Sequence, residues 1–453
     1  MSIFKIVIKN MRQRALATGL TALSVALGVT LSVAILLVKQ GVQQRFEQGT
    51  LGYEMVVGAK GSPLQLVLNT VYNLDVSPGN VPWKLFEQLR DDKRVKLAVP
   101  FSVGDNYHGF RIIGTTDAFF REFEFEPGRK PELAAGRIFQ FSEAALKSAF
   151  QEAEERSRER QARERGEEVK PLAEHEPGNR PFEAVIGATV EQETGLKIGQ
   201  IFVAAHGVQP AAEAKEHKET PWTVVGILKP TQTAADRGIY INLDSFYHIE
   251  GHEIREQNSA TKAEVKDNDP DAGMVSSIVL KLRSPMSAFP LYREINDRPD
   301  AMAAFPTAEI RKLFDIVGNI DRLLLAQAIL ILIVAGVAIA VSIYNSMSER
   351  RREIAILRAL GARREIIFSI ILLEAVSICT AGAAAGLIGG HLVVAAANSF
   401  VYRASGFVIP AYHMQALEWA VLAVAITMGA VSGWGPAWGA YRTDAAKNLA
   451  PTS

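Results

Sequence analysis

The chain has 453 residues, 48% of them hydrophobic, and sets 49 basic side chains against 49 acidic ones. A neutral balance excludes a general nucleic-acid binder, which carries a net basic surface, and the length predicts two or three domains. The single cysteine, Cys379, excludes an intramolecular disulfide.

These averages hide a strong segregation, with apolar residues at both ends and charge in the middle. Residues 1–14 hold Lys5, Lys9, Arg12 and Arg14 and no acid. Residues 15–38, "ALATGLTALSVALGVTLSVAILLV", carry no charge and are long enough to cross a bilayer. A secretory signal is the competing reading. Its apolar core runs to only about 7–15 residues, and no small-x-small cleavage site follows Leu37, so an uncleaved anchor is expected.

Residues 39–322 mix strand and helix signals. Short β-branched runs bounded by Gly, Pro or Asp predict strands at 54–59, 94–103, 110–115, 182–187, 201–205, 222–228, 238–243 and 276–282. Residues 82–92 open on Pro82 and read helical, as do residues 287–297. "SPLQLVLNTVY" places Leu64, Leu66 and Leu68 in alternation, which favours a half-buried strand over a groove lined by these residues and Tyr72. A charged insertion occupies 143–179. Within it, Glu152/Arg156 and Glu154/Arg158 are spaced for i,i+4 pairing, predicting an exposed helix over 151–170 with little apolar stripe. Residues 208–220 and 251–273 are polar and read as loops. Strands interleaved with helices argue for α+β or α/β rather than a sandwich.

From Thr307 onward the apolar residues Ile310, Leu313, Phe314, Val317 and Ile320 recur with helical period. They predict a stalk helix over 307–345 that continues into a second span at 323–344. Such a rod transmits motion, unless it breaks at Gly318. A third span is expected at 366–398 and a fourth at 417–438, followed by a tail at 439–453. The expected fold class is an α-helical membrane protein of four transmembrane helices, with a large α+β extracytoplasmic domain inserted between helices 1 and 2. Residues 346–365 hold six arginines, whereas 399–416 hold only Arg403. The positive-inside rule therefore puts both termini and the arginine link in the cytoplasm and residues 39–322 outside.

The arginine link, residues 348–361, reads as a short helix ended by Gly361, too charged to span. Arginines on acidic lipid headgroups explain the charge alone. Glu353 together with an apolar patch at Ile354 and Leu357 fits a protein partner better: apolar side chains fill a groove and charges set the register. "SERRREIAILRALGARREIIFSIILLEA" (348–375) resembles the coupling-helix signature of FtsX/MacB-type (type VII) permeases of ABC transporters. "GPAWGAYRTDAAKNLAPT" (435–452) is similar to that family's closing motif. "AAGRIF" (134–139), "AVIGATVEQETGLKIGQ" (184–200) and "WTVVGILKPT" (222–231) resemble its periplasmic core.

The resemblance implies a stand-alone permease subunit in the inner membrane. Its coupling helix would enter a cleft of a cytoplasmic ABC ATPase through Glu353, Ile354, Leu357, Arg358, Leu360 and Gly361. A second permease chain, identical or not, would complete the assembly. Membrane lipid is the other expected contact, with a periplasmic partner as a further option and no nucleic acid. ATP and Mg would be held by the ATPase, and no cofactor by this chain.

The sequence carries no phosphate loop. "GAKGSP" (58–63) lacks the required spacing, and in "GATVEQETGLKIG" Leu196 stands where a lysine must follow the glycine. No G-x-S-x-G, HExxH or CxxC motif occurs, so an enzyme is not expected. His248 and His252 read as surface histidines rather than metal ligands. Glu374 and His391 fall inside the third span, where ionisable groups are functional candidates. Glu374 follows Arg364 by about 15 Å of helix, and a structural pairing with a cytoplasmic arginine is favoured over proton coupling. "GAAAGLIGGH" (382–391) suits close helix packing, at a dimer interface or against the second span. Two functions remain open at this level: extraction or export of a substrate at the outer side of the membrane, and activation of an extracytoplasmic partner without transport.

Overall fold

The computed structural model describes residues 3–50, 52–165, 182–207, 220–249, 273–349, 362–405, 409, 411–412 and 414–442. The helices are α1 (Ile3–Gln13), α2 (Ala15–Gly49), α3 (Pro63–Tyr72), α4 (Trp83–Asp91), α5 (Ala118–Arg121), α6 (Glu143–Glu164), α7 (Ala188–Thr194), α8 (Leu243–Phe246), α9 (Ala288–Asn296), α10 (Pro306–Glu349), α11 (Arg364–Ser405) and α12 (Ala416–Arg442). The strands are β1 (Met55–Gly58), β2 (Val81–Pro82), β3 (Val95–Tyr107), β4 (Phe110–Thr115), β5 (Leu133–Gly136), β6 (Glu183–Ile186), β7 (Ile201–Phe202), β8 (Ala205–His206), β9 (Trp222–Leu228), β10 (Gly238–Asn242), β11 (Met274–Val275), β12 (Ser277–Leu282) and β13 (Met302–Ala304). They form two compact units. One comprises Met1–Gln44 and Asp315–Ser453, the other Arg45–Phe314, so α2 and α10 each contribute to both.

The inserted unit, Arg45–Phe314, is built on a mixed sheet of order β13-β1-β12-β3-β4-β10-β6-β9-β5, with β7 added to β9 and β8 to β3. Two pairings are parallel, β10 with β4 and β6 with β9; the others are antiparallel. β3 is long enough to serve three neighbours: its first half pairs with β12 and its second with β4 and β8. Helices cover the sheet, and the core between them holds Trp83, Phe86, Phe150, Trp222, Phe246 and Tyr247. Mixed strands with packed helices make this an α+β domain, as expected from the interleaved signals.

Two local expectations fail. Residues 64–72 form α3, not a strand. Ser62 accepts a hydrogen bond from the Gln65 N–H, Pro63 opens the helix, and Asn73 closes it in the left-handed region at φ 57°. These end signals outweigh a three-residue alternation. Leu66 and Tyr72 are buried and Leu64 and Leu68 half-buried, so these side chains do not line an open groove. The charged insertion departs as well. α6 starts at Glu143, and its first half buries Leu146, Ala149, Phe150 and Ala153 in the core. Phe150 meets Trp83 and Tyr247 edge-on, at centroid distances of 5.7 and 4.8 Å. The apolar stripe precedes the charge-rich run and escapes a window that begins at residue 151.

In the other unit, α2, α11 and α12 contain the three helices long and apolar enough to cross a membrane among the described residues: Ala15–Gln44, Arg364–Val401 and Ala416–Arg442. The expected second span is not among them. It falls on α10, whose apolar stretch Ile329–Asn345 is shorter than those of the three. α10 itself runs without a break from Pro306 to Glu349, through Gly318.

The small residues of 382–391 pack against the first span rather than the second. A Cβ on Gly382 would come within 2.7 Å of the Ala22 carbonyl oxygen, and one on Gly386 within 2.6 Å of that of Ala26. Gly429 of α12 meets α11 in the same way, at Cys379. Without side chains, the backbones approach closely enough for dispersion contacts to hold helices together where no hydrophobic driving force operates.

Candidate functional site

The residues proposed to grip an ATPase, Glu353, Ile354, Leu357, Arg358, Leu360 and Gly361, lie outside the described residues, as does His252. His248 is described. Its Nδ1 lies 3.3 Å from Glu152 of α6, and its own carbonyl accepts from Arg156, a structural setting. No group of three or more His, Cys, Asp or Glu able to hold a metal occurs among the described residues.

Glu374 and His391 both lie on α11. Glu374 is 7% exposed, in the half of α11 that packs beside α12, next to Ala375, whose Cβ faces Gly433. His391 stands at a junction of three segments. Its Nδ1 lies 2.6 Å from the Ala411 carbonyl oxygen, and its Nε2 lies 2.8 Å from Oε2 of Glu418 in the first turn of α12. Glu418 is fully buried. Its Oε1 accepts from the Gln415 backbone N–H at 3.1 Å while its own N–H donates to the Gln415 carbonyl. That is the glutamate half of a capping box: the Glu418 side chain satisfies the Gln415 amide, while the Gln415 carbonyl, not its side chain, takes the Glu418 N–H. About two helical turns further along α11, Asn398 pairs twice with the Ile409 backbone, at 2.8 and 2.9 Å.

Sequence reasoning singled out His391 as a candidate and did not single out Glu418. The sequence signal was partial: Glu418 stands at the head of an apolar run, where a glutamate can reach back to a free amide, but Gln415 is not among the residues that mark an N-cap.

In the inserted unit, the ends of α2 and α10 are tied to each other. Thr50 and Thr307 share a hydroxyl hydrogen bond at 3.1 Å. Phe46 lies between Tyr72 and Phe314, at centroid distances of 4.8 and 5.7 Å, and the Tyr72 hydroxyl donates to the Phe46 carbonyl. Just beyond Tyr72, the chain turns through Asn73 and Asp75, both with left-handed backbone (φ 57° and 63°). This turn is held by Arg111 of β4, whose guanidinium donates to the Asn69 and Asp75 carbonyls. Burial pushes the Arg111 guanidinium down to about 10, against the opposing pull of Asp75. The turn presents Leu74 and Val76 to the outside.

Residues 18–297 match the MacB-like periplasmic core domain, and residues 326–445 match the FtsX-like permease C-terminal domain. A macrolide export ATP-binding/permease protein MacB of Syntrophobacter fumaroxidans is 31% identical over 186 residues, 38% of this chain and 25% of that protein. An uncharacterized ABC transporter permease of Methanocaldococcus jannaschii is 26% identical over 223 residues, 49% of this chain and 52% of that one. The chain thus spans from about a quarter to about half the length of these relatives. Among solved structures, the extracellular domain of the transporter YknZ from Gram-positive bacteria aligns over 55% of this chain and 98% of that domain, with TM-score 0.29 and 13% identity. The periplasmic region of MacB from Actinobacillus actinomycetemcomitans aligns over 59% of this chain and 95% of that region, with TM-score 0.31 and 9% identity. With the periplasmic core profile covering more than half of its length and the permease profile most of the remainder, the chain belongs to the FtsX/MacB-type permease family.

Proposed function

We propose that this chain is a mechanical transmission subunit of an ABC system, in which ATP hydrolysis by a cytoplasmic ATPase moves the inserted α+β unit so that it acts on a partner outside the membrane. The observation that carries this reading is the pair of unbroken helices flanking that unit. α2 has 35 residues and α10 has 44, lengths of about 52 and 66 Å at 1.5 Å per residue. Both exceed the roughly 30 Å of a hydrocarbon core. Their ends are joined by the Thr50–Thr307 hydrogen bond and the Phe46, Tyr72 and Phe314 cluster, so a displacement of one helix is passed to the other and to the sheet. A rod with bonded ends transmits a stroke that a flexible linker absorbs.

In this reading α10 supplies a fourth crossing, both termini lie in the cytoplasm, and the membrane is the cell's inner one. The stroke enters through Glu353, Ile354, Leu357, Arg358, Leu360 and Gly361. ATP and Mg are bound by the ATPase, and a second permease chain completes the assembly. Export of a small molecule is the second reading, favoured by relatives named as macrolide exporters.

Co-purification with the ATPase encoded beside its gene tests the drive. Wild-type chain should hold that ATPase and change its hydrolysis rate, and Glu353→Arg should lose both. Association untouched by Glu353→Arg would sink the proposed grip. Macrolide efflux from cells carrying the pair separates the two readings: efflux above that of a hydrolysis-dead ATPase favours export.

A further inference from the structure

Between α11 and α12, Ile409 and Ala411 are each fastened to α11. The outer fastening is Asn398 with the Ile409 backbone, an amide pair with no titratable proton. The inner one is His391, which bonds Ala411 through one ring nitrogen and Glu418 through the other. Ile409 and Ala411 are buried, at 3% and 1% exposed.

The donor inventory at His391 is restrictive. A carbonyl oxygen only accepts, so Nδ1 carries a hydrogen and donates it to Ala411. Nε2 and Oε2 of Glu418 are then 2.8 Å apart, a distance that requires one proton between two atoms that otherwise present lone pairs to each other. The proton belongs to the pair: imidazolium with carboxylate, or neutral ring with carboxylic acid. No other charged group is within ion-pair range of His391 among the described residues. α2 brings Thr30 and Val33 to the adjoining glycines, Gly389 and Gly390, and neither titrates here. The connection itself brings the Ala411 carbonyl and the Gln415 amide.

We propose that His391 and Glu418 form a one-proton clasp that fastens the α11–α12 connection to α11 and releases it when that proton leaves. Deprotonation leaves the ring one hydrogen for two acceptors, the Ala411 carbonyl and the Glu418 carboxylate, so one of the two bonds becomes a contact between lone pairs. Glu418 keeps its capping bond to Gln415, so α12 stays intact while the connection loses its inner fastening. The His391 side chain is 19% exposed, so water reaches the pair from the ring side and takes up the proton. The clasp makes the outermost part of the helix pair sensitive to pH, whatever the inserted unit acts on.

The test places a nitroxide on Tyr412, which is 88% exposed on the connection, through Tyr412→Cys in a Cys379→Ala background of the full chain in lipid nanodiscs. Label mobility is followed between about pH 5 and 9, the range in which histidine pairs titrate. The ratio of mobile to immobile label should rise with pH by about tenfold per unit through the transition of one proton. Glu418→Gln should remove the rise and leave the label immobile, because its amide donates to Nε2 without a titratable proton. Asn398→Ala should raise mobility at every pH without moving the transition. A flat profile in the otherwise wild-type chain, or the same rise in Glu418→Gln, overturns the clasp. If Glu418→Gln does not fold, ¹⁵N spectra of histidine-labelled chain decide, with His391 assigned by difference against His391→Asn. Ring ¹⁵N shifts of His391 that change through the same transition as the label mobility support the clasp; shifts that stay constant from about pH 5 to 9 overturn it.

Discussion

Arg111 illustrates how much a single side chain in the sheet can hold. It is 4% exposed, on a strand buried along its whole length, yet it carries a guanidinium. Its bonds to the Asn69 and Asp75 carbonyls tie the left-handed turn at Asn73 and Asp75 to β4. Arg111→Met keeps the bulk and leaves two carbonyls without their charged donor, which should cost about 2–4 kcal/mol. The change is expected as a lower melting temperature and as new protease cleavage near Leu74. A second residue-scale effect concerns acid. The Arg94 hydrogen bond holds the Asp92 carboxyl below its ordinary value, and burial opposes it. A depressed folded-state value adds stability above the unfolded value of about 3.9, and this is lost as pH falls through the folded one. Wild-type chain should therefore lose more stability than Asp92→Asn on acidification from about pH 5 to 3. Equal losses in denaturant titrations at the two pH values would remove Asp92 as the cause.

Among the elements, α6 and α11 owe their positions to packing rather than propensity. α6 is held by Phe150, wedged among Trp83, Tyr247 and Gly273. Phe150→Ala should cost about 3–5 kcal/mol, the usual range for emptying an aromatic site in a core. It should also open α6 to proteolysis before the rest of the inserted unit, and simultaneous loss of all elements would argue against a locally docked helix. α11 is held against α2 by the absence of side chains. Gly386→Leu would drive a branched chain into the Ala26 carbonyl and Val29, at a cost of about 1–3 kcal/mol or more. Earlier thermal aggregation in detergent is the expected sign, and a surface glycine such as Gly435, which has open space around it, is the matched control.

For the whole molecule, the prediction turns on α10. Gly318 has nothing within reach of an added Cβ, so size alone does not forbid substitution there. Gly318→Pro removes a helix hydrogen bond and clashes with the preceding turn; Gly318→Ala should stabilise the helix by about 1 kcal/mol. If the helix carries the stroke, the proline variant should still bind the ATPase and hydrolyse ATP while the nucleotide-dependent distance change between labels in the inserted unit disappears. The alanine variant should retain that change. An undiminished response in Gly318→Pro would remove α10 from the transmission path.

The sequence by itself determined the segregation into apolar ends and a mixed middle, most strands of the sheet, the two long helices and the family. Those follow from local pattern: β4 and β9 occupy the very residues their β-branched runs mark out, and "WTVVGILKPT" resembles the family core without reference to any contact. The tertiary structure decided what depends on partners distant in the chain. α3 was misread because its alternation is a by-product of a capped helix, and β5 and β13 were not legible because four and three residues gain strand character only by pairing with β9 and β1. The small-residue face of α11 could be recognised as a packing surface, but only the fold shows that α2 fills it. His391 was marked out by being ionisable in an apolar run. Glu418, 27 residues later, became its partner only because the chain turns back on itself, and separations of that kind leave no periodicity in a sequence.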